Sequence, residues 1–218
     1  MSADADALPP PPTTVADALA GPGYYITPTL SLADLDSCRH VSEAVWTLSS
    51  ARPGNGIPQL LGDDLTEFWQ TDGTAPHIVS IQFRARTAVS EVVFYVDATA
   101  DESYTPRAIA VRVGTLHHDL EELRRIELNA PIGGVRIPRA ARVPADAAAA
   151  GPPRALHTWY LQVVVHGMKA NGRDMHMRGL KVLGVSAALA PLHAVADAPI
   201  GHGLLTPFVD FALSGAVR

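Results

Sequence analysis

Between Trp159 and Val182 the chain alternates apolar and polar residues in two runs separated by a polar bend, the period of strands rather than of helices. Trp159, Leu161, Val163 and Val165 fall on one side of the first run, which predicts a strand with that face in a core. Leu180 and Val182 repeat the pattern in the second. The bend, Gly167 to Arg178, concentrates Asn171, Gly172, Arg173, Asp174, His176 and Arg178 at one end of the predicted sheet. Such ends carry function on β-scaffolds, although Asn-Gly is also ordinary turn chemistry.

The rest of the chain has the same texture. Val45–Ser49 reads as a strand, Val79, Ile81 and Phe83 alternate with polar neighbours, and Val89–Val96 is a β-branched and aromatic run. Ile109, Val111 and Val113 form another, Leu120–Leu128 is strand by context, and Ile132–Ile137 adds one more. Gln59–Trp69 reads as a short turn or helical piece presenting Trp69 to the core, and Leu30, Leu32 and Leu35 suggest a short helix. About eight short strands with turn signals between them predict an all-β fold, an antiparallel β-sandwich or jelly roll. The expected organisation is a disordered tail over 1–23, one domain over 24–187 with a flexible insertion at 139–155, and a linker with an apolar end over 188–218.

Charge and composition then narrow the function. A net charge of −5 argues against a nucleic-acid partner, which calls for a basic face. No apolar run approaches the roughly 20 residues of a spanning helix, so no membrane role is expected. The acidic, proline-rich start lacks the layout of a secretory signal, and the nucleus or cytoplasm fits. Cys38 is the single cysteine, which excludes an intrachain disulfide and reads as a packed or idle thiol.

Catalytic patterns are missing. There is no GxSxG elbow, Walker loop or HExxH. His117 and His118 are adjacent, and His157 and His166 lie an odd number apart, so on strands neither pair shares a face. Asp63–Asp64, Asp101–Glu102 and Glu121–Glu122 read as solvated faces rather than acid/base pairs. Trp46, Trp69 and Trp159 offer a sugar-stacking platform in principle, but their neighbours place them in the core. Neither an enzyme nor a cofactor or metal site is expected.

Three segments are familiar. AVWTLSSARPGNGIPQLLGDDLTEFWQTDGTAPHIVSIQFR, DESYTPRAIAVRVG and NGRDMHMRGLKV, in that order, resemble the DOC-domain subunit of the anaphase-promoting complex over about Asp36 to Ser186. The resemblance implies a galactose-binding-like jelly roll and a non-catalytic role in mitotic cell-cycle control. It implies a destruction-box co-receptor that works with a WD-repeat coactivator and promotes processive ubiquitination. Carried over by position, Ser103, Asn171, Asp174 and His176 become degron contacts, with Tyr104, Gly172, Arg173 and Arg178 supporting the loop. Asp174 has a rival role as an internal brace for Arg173 or Arg178.

The resemblance further implies a C-terminal Ile-Arg that docks on a tetratricopeptide-repeat scaffold subunit. Here the chain ends Val217-Arg218, and the lost methylene costs about 0.8 kcal/mol. Met175 stands where the family commonly has threonine, which removes a hydroxyl from the loop. A glycan-binding jelly roll is the alternative function.

Overall fold

The computed structural model describes residues 23–32, 43–138 and 156–184, with Thr13 and Leu35. Cys38, the insertion at 139–155 and the tail with Val217 and Arg218 lie outside the described residues. Among the described residues there are nine strands: β1 (Tyr25–Thr27), β2 (Val45–Leu48), β3 (Trp69–Gln70), β4 (His77–Asp97), β5 (Pro106–Gly114), β6 (Glu121–Glu127), β7 (Ile132–Pro138), β8 (Leu156–Met168) and β9 (His176–Gly184). Among the same residues there are also one short helix, α1 (Ile57–Leu61), and 3-10 turns at Glu102–Tyr104 and Lys169–Asn171.

All pairings between these strands are antiparallel, and β4 organises them. Its first half pairs with β2 and β8, and β8 continues through β5 to β6. Its second half pairs with β7 and β9, which lead to β1 and β3. The two runs expected over Val79–Phe83 and Val89–Val96 are therefore one strand of 21 residues, against the usual range of about 3–10. It serves both layers of the sandwich because its pairing is interrupted between Gln82 and Thr87.

A second irregularity sets which side chains face inward. Val79, Ile81, Phe83 and Val89 point into the core on odd numbers, whereas Val92, Phe94 and Val96 do so on even ones. Val89 pairs with Gly184 and Glu91 with Leu183, so Ser90 is an extra residue, a β-bulge. The Ser90 hydroxyl lies 3.1 and 2.9 Å from the carbonyls of Leu183 and Gly184 and anchors the bulge. Without it, Val92, Phe94 and Val96 would point away from the core between the layers.

The core between the layers holds Ile81, Ile109, Leu161 and Val163 against Phe94, Val135, Met177 and Leu180. Three expectations change. Residues 24–32 contribute strand β1, and Leu35 N–H donates to the Leu32 carbonyl at 3.2 Å, while the rest of the segment expected as a short helix lies outside the described residues. His117 and His118 occupy the β5–β6 turn rather than a strand. Trp159 is 41% exposed while Trp69 is fully buried and Trp46 packs against the core. The pairing of β8 skips between Tyr160 and Thr158, and Thr158 takes the inward place, its hydroxyl 2.8 Å from the Gly114 carbonyl.

Candidate functional site

Three connections meet at one end of the sandwich: the stretch before β4, the β4–β5 loop and the β8–β9 loop. Their backbones are tied together. Lys169 N–H donates to the Thr105 carbonyl at 2.9 Å, and the Thr71 hydroxyl accepts from Met175 N–H at 2.8 Å. His77, 1% exposed, has Nε2 at 2.7 Å from the Arg173 carbonyl, so that nitrogen carries the hydrogen and donates. Asp174 Oδ1 accepts from Gly73 N–H at 3.2 Å. Asp174 does act as a brace, but to the loop ahead of β4 rather than to Arg173 or Arg178.

The β8–β9 loop turns through residues other than its glycine. Ala170 and Asn171 hold φ of 53° and 56°, whereas Gly172 has φ of −54°. Gly172 is needed for space: a Cβ there would lie 2.1 Å from the Ser103 carbonyl oxygen. The missing side chain lets the β4–β5 and β8–β9 loops touch, which brings Ser103 beside the Asn171 bend.

Beneath these loops lies a buried polar cluster. Asp101, 3% exposed, accepts from Arg178 at 2.9 Å on Oδ1 and through a second, shorter contact on Oδ2. His176 Nδ1 lies 3.0 Å from the same Oδ1. Burial pushes the Asp101 carboxyl up, but the hydrogen bonds from His176 and Arg178 and the guanidinium charge win and lower it from 3.8 to about 2. An ionised Asp101 can only accept, so Nδ1 of His176 carries the hydrogen. The remaining Arg178 Nε donates to the Leu65 carbonyl at 2.9 Å. Asp101 therefore belongs to no solvated acidic face.

Aromatic stacking completes the packing. The His176 ring lies between Phe68, 4.1 Å away, and Tyr104, 4.4 Å away and nearly parallel at 4°. The Arg178 guanidinium sits 5.1 Å over Phe68. His176 Nε2 and Thr105 Oγ1 are buried without a hydrogen-bond partner.

The predicted residues thus occupy different depths. Asn171 and Arg173 are exposed, and the Asn171 side chain bonds to no described residue. Tyr104 is 38% exposed, and Ser103, Gly172 and Asp174 are half-buried. His176 is mostly enclosed, its side chain 13% exposed, and Arg178 is buried. Met175 is fully buried, so the replacement of a threonine there alters the core and not the loop surface. Sequence reasoning missed Asp101, His77, Thr71 and Phe68. A charged pair of long sequence separation leaves no local spacing by which to find it. Chemically, the outer layer offers an amide, a phenol and cations on a stiff support, a set suited to hydrogen-bonding an extended chain.

Comparison with known proteins decides the family. Residues 32–198 match the family model described as anaphase-promoting complex, subunit 10. The chain belongs to the anaphase-promoting complex subunit 10 family. It is 43% identical over 177 residues to the human subunit 10, covering 81% of this chain and 86% of that one. The Drosophila melanogaster subunit 10 is 40% identical over 141 residues, 65% of this chain and 68% of its own. The Saccharomyces cerevisiae subunit DOC1 is 28% identical over 151 residues, 68% and 58% respectively.

Among solved structures, a family 32 carbohydrate-binding module of C. perfringens NanJ, solved with galactose, superposes with a TM-score of 0.52 at 8% identity. The match covers 67% of this chain and 97% of the module. A Clostridium perfringens CBM32 module solved with GalNAc-β-1,3-galactose gives 0.52 at 9% identity, covering 68% and 100%. At such identities the likeness is one of fold: the sandwich is a galactose-binding-like jelly roll. Family membership makes the chain an anaphase-promoting complex subunit, in the ubiquitin pathway of the cell cycle.

Proposed function

We propose that the chain is a non-catalytic destruction-box co-receptor of this ubiquitin ligase, working with a WD-repeat coactivator in nucleus and cytoplasm. The observation that carries this reading is the exposed Asn171 amide, free of described partners, on a bend held rigid by Gly172 against Ser103. Ser103, Asn171 and Asp174 supply the degron-facing polar groups, and Tyr104 and Arg173 flank them. His176 and Arg178 hold the loop from below, and Val217-Arg218 docks on a tetratricopeptide-repeat scaffold subunit.

An extended peptide presents N–H and C=O groups that an amide can pair, and each such bond contributes about 1 kcal/mol net. Weak individual contacts suffice where a second receptor shares the ligand, because tethering raises the effective concentration. Asn171→Ala in the full chain, reconstituted into the complex, is expected to cost no more than about 1 kcal/mol of stability, the penalty of losing an asparagine from a left-handed φ. It should lower degron-dependent processivity roughly fivefold, the equivalent of one such bond. Full processivity in that variant removes the co-receptor reading.

One observation favours a glycan-binding alternative, the exposed Trp159. Trp69 is buried and Trp46 lies against the core, so the three tryptophans form no common platform. Galactose titration, followed by tryptophan fluorescence, tests it.

A further inference from the structure

Opposite the Asn171 bend the sandwich has a second pole with a different surface. The register places Val45, Gln82, Tyr160 and Gly114 side by side across β2, β4, β8 and β5. That row is about 15 Å wide, three strand spacings. Trp159 precedes Tyr160 on β8 and Leu116 follows Gly114 beyond β5. Val45, Leu116 and Trp159, which are 58, 45 and 41% exposed, are three of the five exposed large hydrophobic side chains among the described residues. Trp159 is nine residues from Met168, hence about 30 Å from the Asn171 bend along the strand.

Charge at this pole is divided. Arg84 and Arg86 are exposed at the irregular part of β4 and bond to no described carboxylate. On the β6 side stand Glu121 and Glu122, the latter already bound to Arg125 at 2.9 Å. Chain connectivity converges here as well. Gly184, which ends β9, pairs with Val89, and Leu156, which opens β8, pairs with the same residue. Pro138, which ends β7, pairs with Glu91 close by.

We propose that this pole is a docking surface for another protein subunit of the ligase, one offering an apolar patch flanked by carboxylates on the side that meets β4. Apolar residues singly exposed need no explanation, but three at one pole beside unpaired arginines do. The arrangement separates the two tasks of the molecule: one pole is held by the assembly and the other stays open. This inference rests on the chain's place as a ligase subunit, and not on the degron contacts.

Two experiments on the full chain test it. Trp159→Asp combined with Leu116→Asp is expected to weaken incorporation into a complex depleted of this subunit at least tenfold, with the melting temperature unchanged. Asn171→Ala should incorporate normally, so loss of the degron role and loss of docking are read separately. Arg84→Glu with Arg86→Glu should weaken incorporation and flatten its salt dependence. Hydroxyl-radical footprinting of the unaltered chain provides a check independent of variants, with Trp159 oxidation expected to fall at least fivefold on assembly. Unchanged footprints at Trp159 and Leu116 overturn the proposal, as does normal incorporation of the double aspartate variant. Self-association of the isolated chain that protects Trp159 would overturn it in favour of a second copy, and protection by galactose would do so in favour of a glycan.

Discussion

Two buried carboxylate–arginine pairs hold this sandwich, and they differ in what they leave unsatisfied. Glu91 on β4 accepts from Tyr25 on β1 at 2.8 Å and from Arg136 Nε on β7 at 3.1 Å. Its partners lie on strands already in register, since Tyr25 pairs with Arg136 and Arg136 with Val93. The Arg136 guanidinium also lies 5.5 Å from the Tyr25 ring. This cluster reinforces a sheet that its own ladders define. Asp101 joins pieces that no ladder joins: the β4–β5 loop, β9 and, through Arg178, the carbonyl of Leu65. It also leaves His176 Nε2 without a partner. A saturated cluster serves the scaffold, whereas a cluster that orders loops and keeps an unused polar atom supports a site.

The largest effect should come from breaking the deeper pair. Asp101→Ala strands Arg178, whose side chain is 8% exposed, and should cost about 3–5 kcal/mol in urea unfolding. Glu91→Ala strands Arg136, 21% exposed and able to reach water, and should cost about 2 kcal/mol. If Glu91→Ala proves the more damaging, the ranking of the two clusters by depth is wrong. The functional contrast is sharper: Asp101→Ala should abolish degron-dependent processivity, while Glu91→Ala at permissive temperature should preserve it.

The same pair of clusters should divide the pH dependence. Asp101 is depressed from 3.8 to about 2 in the folded chain, so its contribution is complete above pH 4 and is lost as pH falls toward 2. That difference corresponds to about 2 kcal/mol. Tyr25 moves the other way: burial and the hydrogen bond to Glu91 raise its phenol above 10. A raised group stabilises the fold below its unfolded value and loses that contribution as pH climbs past about 10. Circular dichroism melts should therefore show an acid limb diminished in Asp101→Asn and an alkaline limb diminished in Tyr25→Phe. The smallest effect expected is Tyr25→Phe at neutral pH, about 1 kcal/mol for one hydrogen bond. A neutral-pH loss as large as that of Glu91→Ala would mean that the phenol, and not the guanidinium, dominates this cluster.

Much of the fold could be read from residue periodicity. Ile109, Val111, Leu161 and Val163 alternate because strands have a period of two, and all are buried as that period requires. The site was legible only in its outer layer, where Asn171 and Arg173 crowd a short polar bend. Its support was hidden because Asp101 and Arg178 lie 77 positions apart, and an acidic residue beside another looks like a solvated face until its partner arrives. Trp159 illustrates the converse error, since parity assigned it to the core and a skipped pairing on β8 turned it outward.

By itself, then, the sequence determined an all-β antiparallel sandwich, its principal strands and the loop that bears Asn171, because each depends on neighbours a few residues away. Only the tertiary structure decided that β4 spans both layers, that Ser90 shifts its inward face and that Asp101, His176 and Arg178 form one cluster. Those outcomes follow from hydrogen bonds and packing between distant segments, whose geometry exists only once the strands have come together.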